Sequence, residues 1–110
     1  MVEVVISGTV ALDSIRTPFG EAREVLGGSA VYSSVAAREF ARAGIVSVVG
    51  RDFPKKYLNF LNALGVDTTG IDVLQGETFR WEGYYEYDMN QAHTLDTKLN
   101  VLSSFDPIIP

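Results

Sequence analysis

Asp13 carries an ionised carboxylate, an acceptor-only group that can take two hydroxyl donors at once. It stands just past the apolar, β-branched run Val2-Glu3-Val4-Val5-Ile6, where α/β folds place their ligand crevices. The same residue would equally serve to cap a turn. Gly27 and Gly28 precede Ser29 and lack side chains, so their backbone can come close to a ligand with a helix N-terminus directly behind. A tight strand-to-helix turn asks for the same pair. Phe79, Trp81, Tyr85 and Tyr87 recur on one face of an alternating stretch, where they either stack on a ring or pack on a core. On the other face Arg80 and Glu82, with Lys98 further on, either reach a ligand or stay solvated.

Other chemistries are excluded by what the chain lacks. It has no cysteine, and His93 is its single histidine, so thiolate sites and histidine clusters are ruled out. No metal ligand set is expected. Nine basic against fourteen acidic residues give a net charge of -5, the wrong sign for binding a phosphate backbone. Nucleic acid is not an expected partner, and neither is a membrane, since no apolar run approaches the ~20 residues of a span. The apolar start carries Glu3 and lacks a basic leading region, so it reads poorly as a signal peptide. A cytoplasmic setting is expected. Gly8 is followed by Thr9-Val10-Ala11-Leu12-Asp13 without the further glycines of a dinucleotide site, and there is no P-loop.

These residues need elements to position them. With 110 residues and 46% hydrophobic content, one core is expected. The run from Val2 to Ile6 predicts a central strand buried on both faces in a parallel sheet. Residues 13–26, punctuated by Pro18 and Gly20, suit an exposed hairpin. Ser29 is a plausible N-cap for a helix with Tyr32, Val35, Ala36, Phe40 and Ala43 on its apolar face and Gly44 as its stop. Ile45–Val49 then forms a strand ending in Gly50, completing a βαβ order. Pro54 opens a second helix with Tyr57, Leu58, Leu61 and Leu64 on one face, stopped by Gly65, and a short strand follows at Ile71–Leu74. After the turn at Gln75-Gly76-Glu77, alternating stretches run from Thr78 to Tyr87 and from His93 to Leu102, antiparallel partners around a turn at 88–92. Asp106-Pro107-Ile108-Ile109-Pro110 holds neither a capped helix nor a finished strand, and truncation is expected there.

Three features in this order resemble the ribokinase-like (PfkB) family of carbohydrate and nucleoside kinases. They are the first strand leading to Gly8-Thr9-Val10-Ala11-Leu12-Asp13, the Gly27-Gly28 pair opening a helix, and Val49-Gly50-Arg51-Asp52 closing the next strand. Gly65-Val66-Asp67-Thr68-Thr69-Gly70-Ile71 and the Thr78–Tyr87 strand look like the family too. The resemblance implies an α/β fold, the N-terminal part of a ribokinase-like α/β/α sandwich with a small β-sheet lid. Residues 1–110 would then be the N-terminal portion of one kinase domain, with lid strands at about 13–28 and 78–102 and the C-terminal ATP-binding half absent. It implies ATP-dependent phosphorylation of a hydroxyl on a sugar or nucleoside, with ATP and Mg2+ used by the complete enzyme. The Gly-Ala-Gly-Asp-like motif that supplies base and anion hole in that family is missing here, so no catalytic residue is expected and the chain alone should be inactive. Asp13, Gly27, Gly28, Ser29, Tyr32 and Arg80 are the expected substrate-binding residues. Tyr32 stands where the family usually has a sugar-binding asparagine, and Ala11 where it often has a polar residue, so plain ribose or fructose specificity is not carried over. A homodimer through the lid is also implied. The alternative is a non-catalytic carbohydrate-binding or dimerisation module built on the same fold.

Overall fold

The computed structural model describes residues 2–86 and 92–104. In chain order it contains β1 (Val4–Ser7), β2 (Ala11–Thr17), β3 (Gly20–Gly27), α1 (Ser29–Ala37), β4 (Ala43–Gly50), α2 (Lys55–Ala63), β5 (Ile71–Leu74), β6 (Arg80–Tyr85), β7 (Ala92–Lys98) and a 3-10 helix at Asn100–Ser104. The strands form two sheets, one of three strands in the order β1-β4-β5 and one of four in the order β3-β2-β6-β7. The first is parallel throughout, as the crossover through α1 and then α2 requires. The second mixes antiparallel β2–β3 and β6–β7 pairs with a parallel β2–β6 contact. Residues 13–27 and 80–98 therefore lie in one sheet, although about fifty residues separate them in the chain.

β4 reads Ala-Gly-Ile-Val-Ser-Val-Val-Gly, and all eight residues are buried. A strand covered on both faces needs this near-continuous apolar run. Its one polar side chain, Ser47, is satisfied by donating from Oγ to the Gly8 carbonyl at 2.6 Å. The core joins Val10, Leu12, Ala30, Val31, Ile45 and Val49 to Phe53, Leu61, Val66 and Ile71, across both sheets and both helices. Fully burying one such side chain contributes roughly 1.5–3 kcal/mol, so Leu12 ties the base of the second sheet firmly to the first.

Several expectations need correction. Among the described residues β1 lies at the edge of its sheet and not at its centre: it pairs there with β4 alone, and Val4 and Val5 are 38% and 36% exposed. β4 takes the central place. Helix α1 ends at Ala37, short of the expected Ala43, and a turn then brings the chain into β4. Its buried face is Ala30, Val31 and Ser34; of the expected apolar positions Val35 packs partly buried against the core, while Tyr32 is 63% and Phe40 91% exposed. Small residues win that face because they let the helix axis approach the sheet, and Ser34 can be buried since its Oγ donates to the Val31 carbonyl. Ser29 is not the N-cap; Gly28, at φ +100°, holds that place. β7 stops at Lys98, not Leu102. Asn100 adopts φ +52° and donates from Nδ2 to the Thr78 carbonyl, turning the chain so that Val101 enters the core while Leu95 and Leu99 stay exposed. The expected alternation is also broken within β7, because Glu82 pairs with Asp96 and Gly83 with Thr94, leaving Leu95 as a bulge. Tyr87 and the turn residues 88–91 lie outside the described residues.

The remaining elements follow their sequence signals. The β2–β3 hairpin closes at Thr17-Pro18-Phe19-Gly20, where Thr17 Oγ1 accepts from the Phe19 amide at 3.1 Å. α2 starts after Pro54 and turns on its Tyr57, Leu58 and Leu61 side toward the core. Gly65, at φ +88°, ends it as a left-handed residue should.

Candidate functional site

Asp13 lies on β2 at the point where the β2–β3 register shifts by a bulge. Its carboxylate rests directly against the Cα of Gly27, so a Cβ at position 27 would overlap Oδ2. Only glycine fits beside this carboxylate. Among the described residues the side chain has no hydrogen-bond or ion-pair partner, although it is half-buried. Burial raises its pKa above the ordinary aspartate value, the sign of an anion short of solvation. Hydroxyl donors from a ligand would supply what the protein does not.

Gly28 continues from Gly27 at φ +100°, and a Cβ there would meet the Thr9 carbonyl and the Ala11 amide. Both constraints demand glycine. Thr9 then closes the head of α1. Its Oγ1 accepts from the Ser29 amide at 2.8 Å, its carbonyl from the Ala30 amide at 2.9 Å, and its own amide donates to Ser29 Oγ at 3.3 Å. The first two helical amides are thus taken within the protein, which leaves Gly27 and Gly28 as the side-chain-free backbone at this junction. Ser29 has a positioning place here, its hydroxyl 3.1 Å from that of Thr9. Tyr32 sits one turn into α1, its amide donating to the Gly28 carbonyl and its ring exposed.

Arg80 is elsewhere. Residues paired across neighbouring strands share a face, so Leu12, Arg80 and Lys98 face one way, while Asp13 and its partner Trp81 face the other. The Arg80 guanidinium is held by Asp52 at 2.7 Å and by both oxygens of Glu24 at 3.1 and 3.0 Å, and it donates to the Thr78 carbonyl at 3.2 Å. It borders a polar hollow of about 330 Å³ with Ser14, Glu24 and Lys98, but its donors are largely occupied. Asp52, which residue pattern did not single out, anchors this node. Its Oδ1 accepts from both the amide and the hydroxyl of Thr78, and Thr78 Oγ1 accepts from the Gly50 amide. Partial burial pushes the Asp52 pKa up, but the Thr78 hydrogen bonds and Arg80 outweigh it and leave the value lowered. Tyr57 OH adds a bond to the Glu24 carbonyl at 2.7 Å. The signal available in sequence was the Gly50-Arg51-Asp52 step after a buried strand; nothing local to Thr9, Glu24 or Thr78 announces their parts.

The structure therefore brings Asp13, Gly27, Gly28 and Ser29 to one junction between β2, β3 and α1, leaves Tyr32 exposed on the same helix, and sets Arg80 on the opposite face of the β2–β6 pair. Among the described residues no three His, Cys, Asp or Glu side chains gather as a metal site.

No protein-family model matches the chain. In sequence it is 33% identical over 89 residues to the cytidine kinase of Thermococcus kodakarensis, a match covering 80% of this chain and 32% of that protein. The chain thus spans about a third of the length of this curated relative. In structure it is similar to the Burkholderia thailandensis nucleoside kinase solved with inosine, at a TM-score of 0.80 and 22% identity over 92% of this chain and 36% of that one. It is also similar to the Methanocaldococcus jannaschii nucleoside kinase, an archaeal member of the ribokinase family, at a TM-score of 0.76 and 21% identity over 99% of this chain and 42% of that one.

Proposed function

We propose, from the premise that this chain is ribokinase-like in fold and in sequence, that it forms the acceptor-binding and lid portion of a kinase that phosphorylates a hydroxyl of a sugar or nucleoside. The observation that carries this reading is Asp13, a half-buried carboxylate with no partner among the described residues, set against Gly27 at the head of α1. Such a carboxylate accepts two acceptor hydroxyls and holds them in fixed orientation, while Gly27 and Gly28 allow the ligand close to the backbone. Ser29, through Thr9, holds the head of α1 in that junction, while Arg80, through Asp52 and Glu24, fastens the opposite face of the lid sheet to the end of β4. Tyr32 faces the acceptor from α1, in the place usually taken by asparagine. The four-stranded sheet acts as the lid, and its closure excludes water that would compete with the acceptor hydroxyl.

The phosphate would come from ATP with Mg2+, which together supply the electrophile and the charge that steadies it. The residues described here do not fit that group, for they include neither a metal cluster nor the Gly-Ala-Gly-Asp-like motif. The work of this chain is to bind and orient the acceptor. A nucleoside is favoured as acceptor by the sequence relative, a cytidine kinase, and by the solved neighbour with inosine. A homodimer through the lid belongs to the same reading, supported by Phe19 exposed at the hairpin tip. So does a cytoplasmic setting; among the described residues no helix is long and apolar enough to cross a membrane.

The test is an acceptor screen of the complete protein with MgATP over nucleosides and free sugars. Phosphorylation of a nucleoside in preference to unmodified ribose is expected. Binding of sugars without phosphoryl transfer would instead favour the non-catalytic module.

A further inference from the structure

We infer that Trp81 is the stacking platform for the base of a nucleoside acceptor, an assignment that rests on the acceptor-site reading above and names the half of the ligand that Asp13 does not hold. The register pairs Asp13 with Trp81 directly, on adjacent strands and on the same face of the lid sheet. The indole does not point back toward Asp13. It lies along its own strand over Gly83, where a Cβ would overlap ring atoms Cη2 and Cζ2, and its Nε1 donates to Thr94 Oγ1 at 3.1 Å. Glycine at 83 is thus the seat of the ring, and Thr94 fixes its rotation. A ring anchored at one edge and backed by the sheet presents its other face outward, and Trp81 is partly exposed.

The carboxylate points the opposite way, toward Gly27 and the head of α1. From the Asp13–Trp81 row to the Ile15–Gly83 row is two residues along the strands, about 7 Å. A ribose on Asp13 and its attached base bridge such a span, and Ile15 on the same face adds an apolar floor. Stacking suits any base, because every base has a π-face, whereas a free sugar gains little from it. The ring's fixed rotation also means that little side-chain entropy is lost on binding.

Trp81 is the only tryptophan among these 110 residues, and subtracting the emission of the Trp81→Phe variant isolates the signal of this position in the complete protein. The complete protein is titrated with cytidine and, separately, with D-ribose. Quenching by cytidine and an affinity about tenfold or more above that for ribose are expected, since base stacking typically supports that gain or more. Trp81→Ala should bring cytidine down to the ribose level while leaving ribose affinity within about twofold, and Trp81→Phe should restore part of the gap. Melting temperatures of both variants check that the sheet still forms. Cytidine binding without quenching, together with an unchanged preference in Trp81→Ala, overturns this assignment and leaves the acceptor site at Asp13 standing. Binding of neither ligand to the wild-type protein overturns the acceptor site and this inference with it.

Discussion

Among the described residues no donor reaches the half-buried Asp13 carboxylate, an arrangement that costs stability. Because burial raises its folded pKa above the unfolded value, the stability linked to this group is fully present below the unfolded pKa and is lost as pH rises through the folded one. Asp13→Asn should therefore raise the melting temperature at neutral pH, with the gain vanishing toward about pH 3, below the ordinary aspartate range. Thermal melts of both proteins across that range check this; a variant less stable at neutral pH would show that the carboxylate caps a turn. Gly28 carries a sharper steric demand. Gly28→Ala meets the Thr9 carbonyl in a left-handed conformation and should cost roughly 1–3 kcal/mol in denaturant unfolding. Both residues were legible as types, a lone carboxylate past a strand and a glycine before a helix. Thr9 was not, since its bonds to Ser29 and Ala30 join positions about twenty residues apart, and no local pattern announces such a clamp.

Between elements, the node of Asp52, Thr78, Arg80 and Glu24 fastens the end of β4 to the edges of β3 and β6. It is the polar counterpart of the Leu12 contact. Arg80→Met removes the hydrogen bonds to two carboxylates and should lower stability by about 1–3 kcal/mol, discounted for partial exposure. The Asp52 pKa is lowered, so its contribution is present above the unfolded value and lost as pH falls through the folded one. Asp52→Asn should accordingly destabilise at neutral pH and differ little from the wild type in acid, a slope opposite to that of Asp13→Asn. Matching slopes in the two variants would contradict the separate environments assigned to them. The hairpin, α2 and β4 could be read from sequence because turn residues and buried runs mark them locally. The buried face of α1 could be read only at Val35, because Ala30, Val31 and Ser34 compete with larger apolar residues one step around the helix, and the sheet selects the smaller set. β7 ended early for a similar reason: the Asn100 bond to Thr78 is tertiary.

At the scale of the whole molecule, the chain corresponds to about a third of its curated relative and carries one wall of the proposed reaction site. The 110 residues alone are expected to show no ATP turnover with any sugar or nucleoside, because they contain no Gly-Ala-Gly-Asp-like motif to hold the phosphate. Appreciable turnover in a coupled assay would refute that division of labour. The order of motifs made the fold class legible over nearly the full length, whereas the separation of Arg80 from Asp13 depends on strand register, which alternation leaves ambiguous by face. The central claim is that Asp13 binds the acceptor, and calorimetric titration of the complete protein carrying Asp13→Ala tests it most directly. Two charge-assisted hydrogen bonds are lost, each worth roughly 1.5–3 kcal/mol and not fully additive, so acceptor affinity should fall about a hundredfold or more. Affinity for MgATP should be unchanged and the melting temperature no lower. Wild-type acceptor affinity in the Asp13→Ala protein would contradict the account.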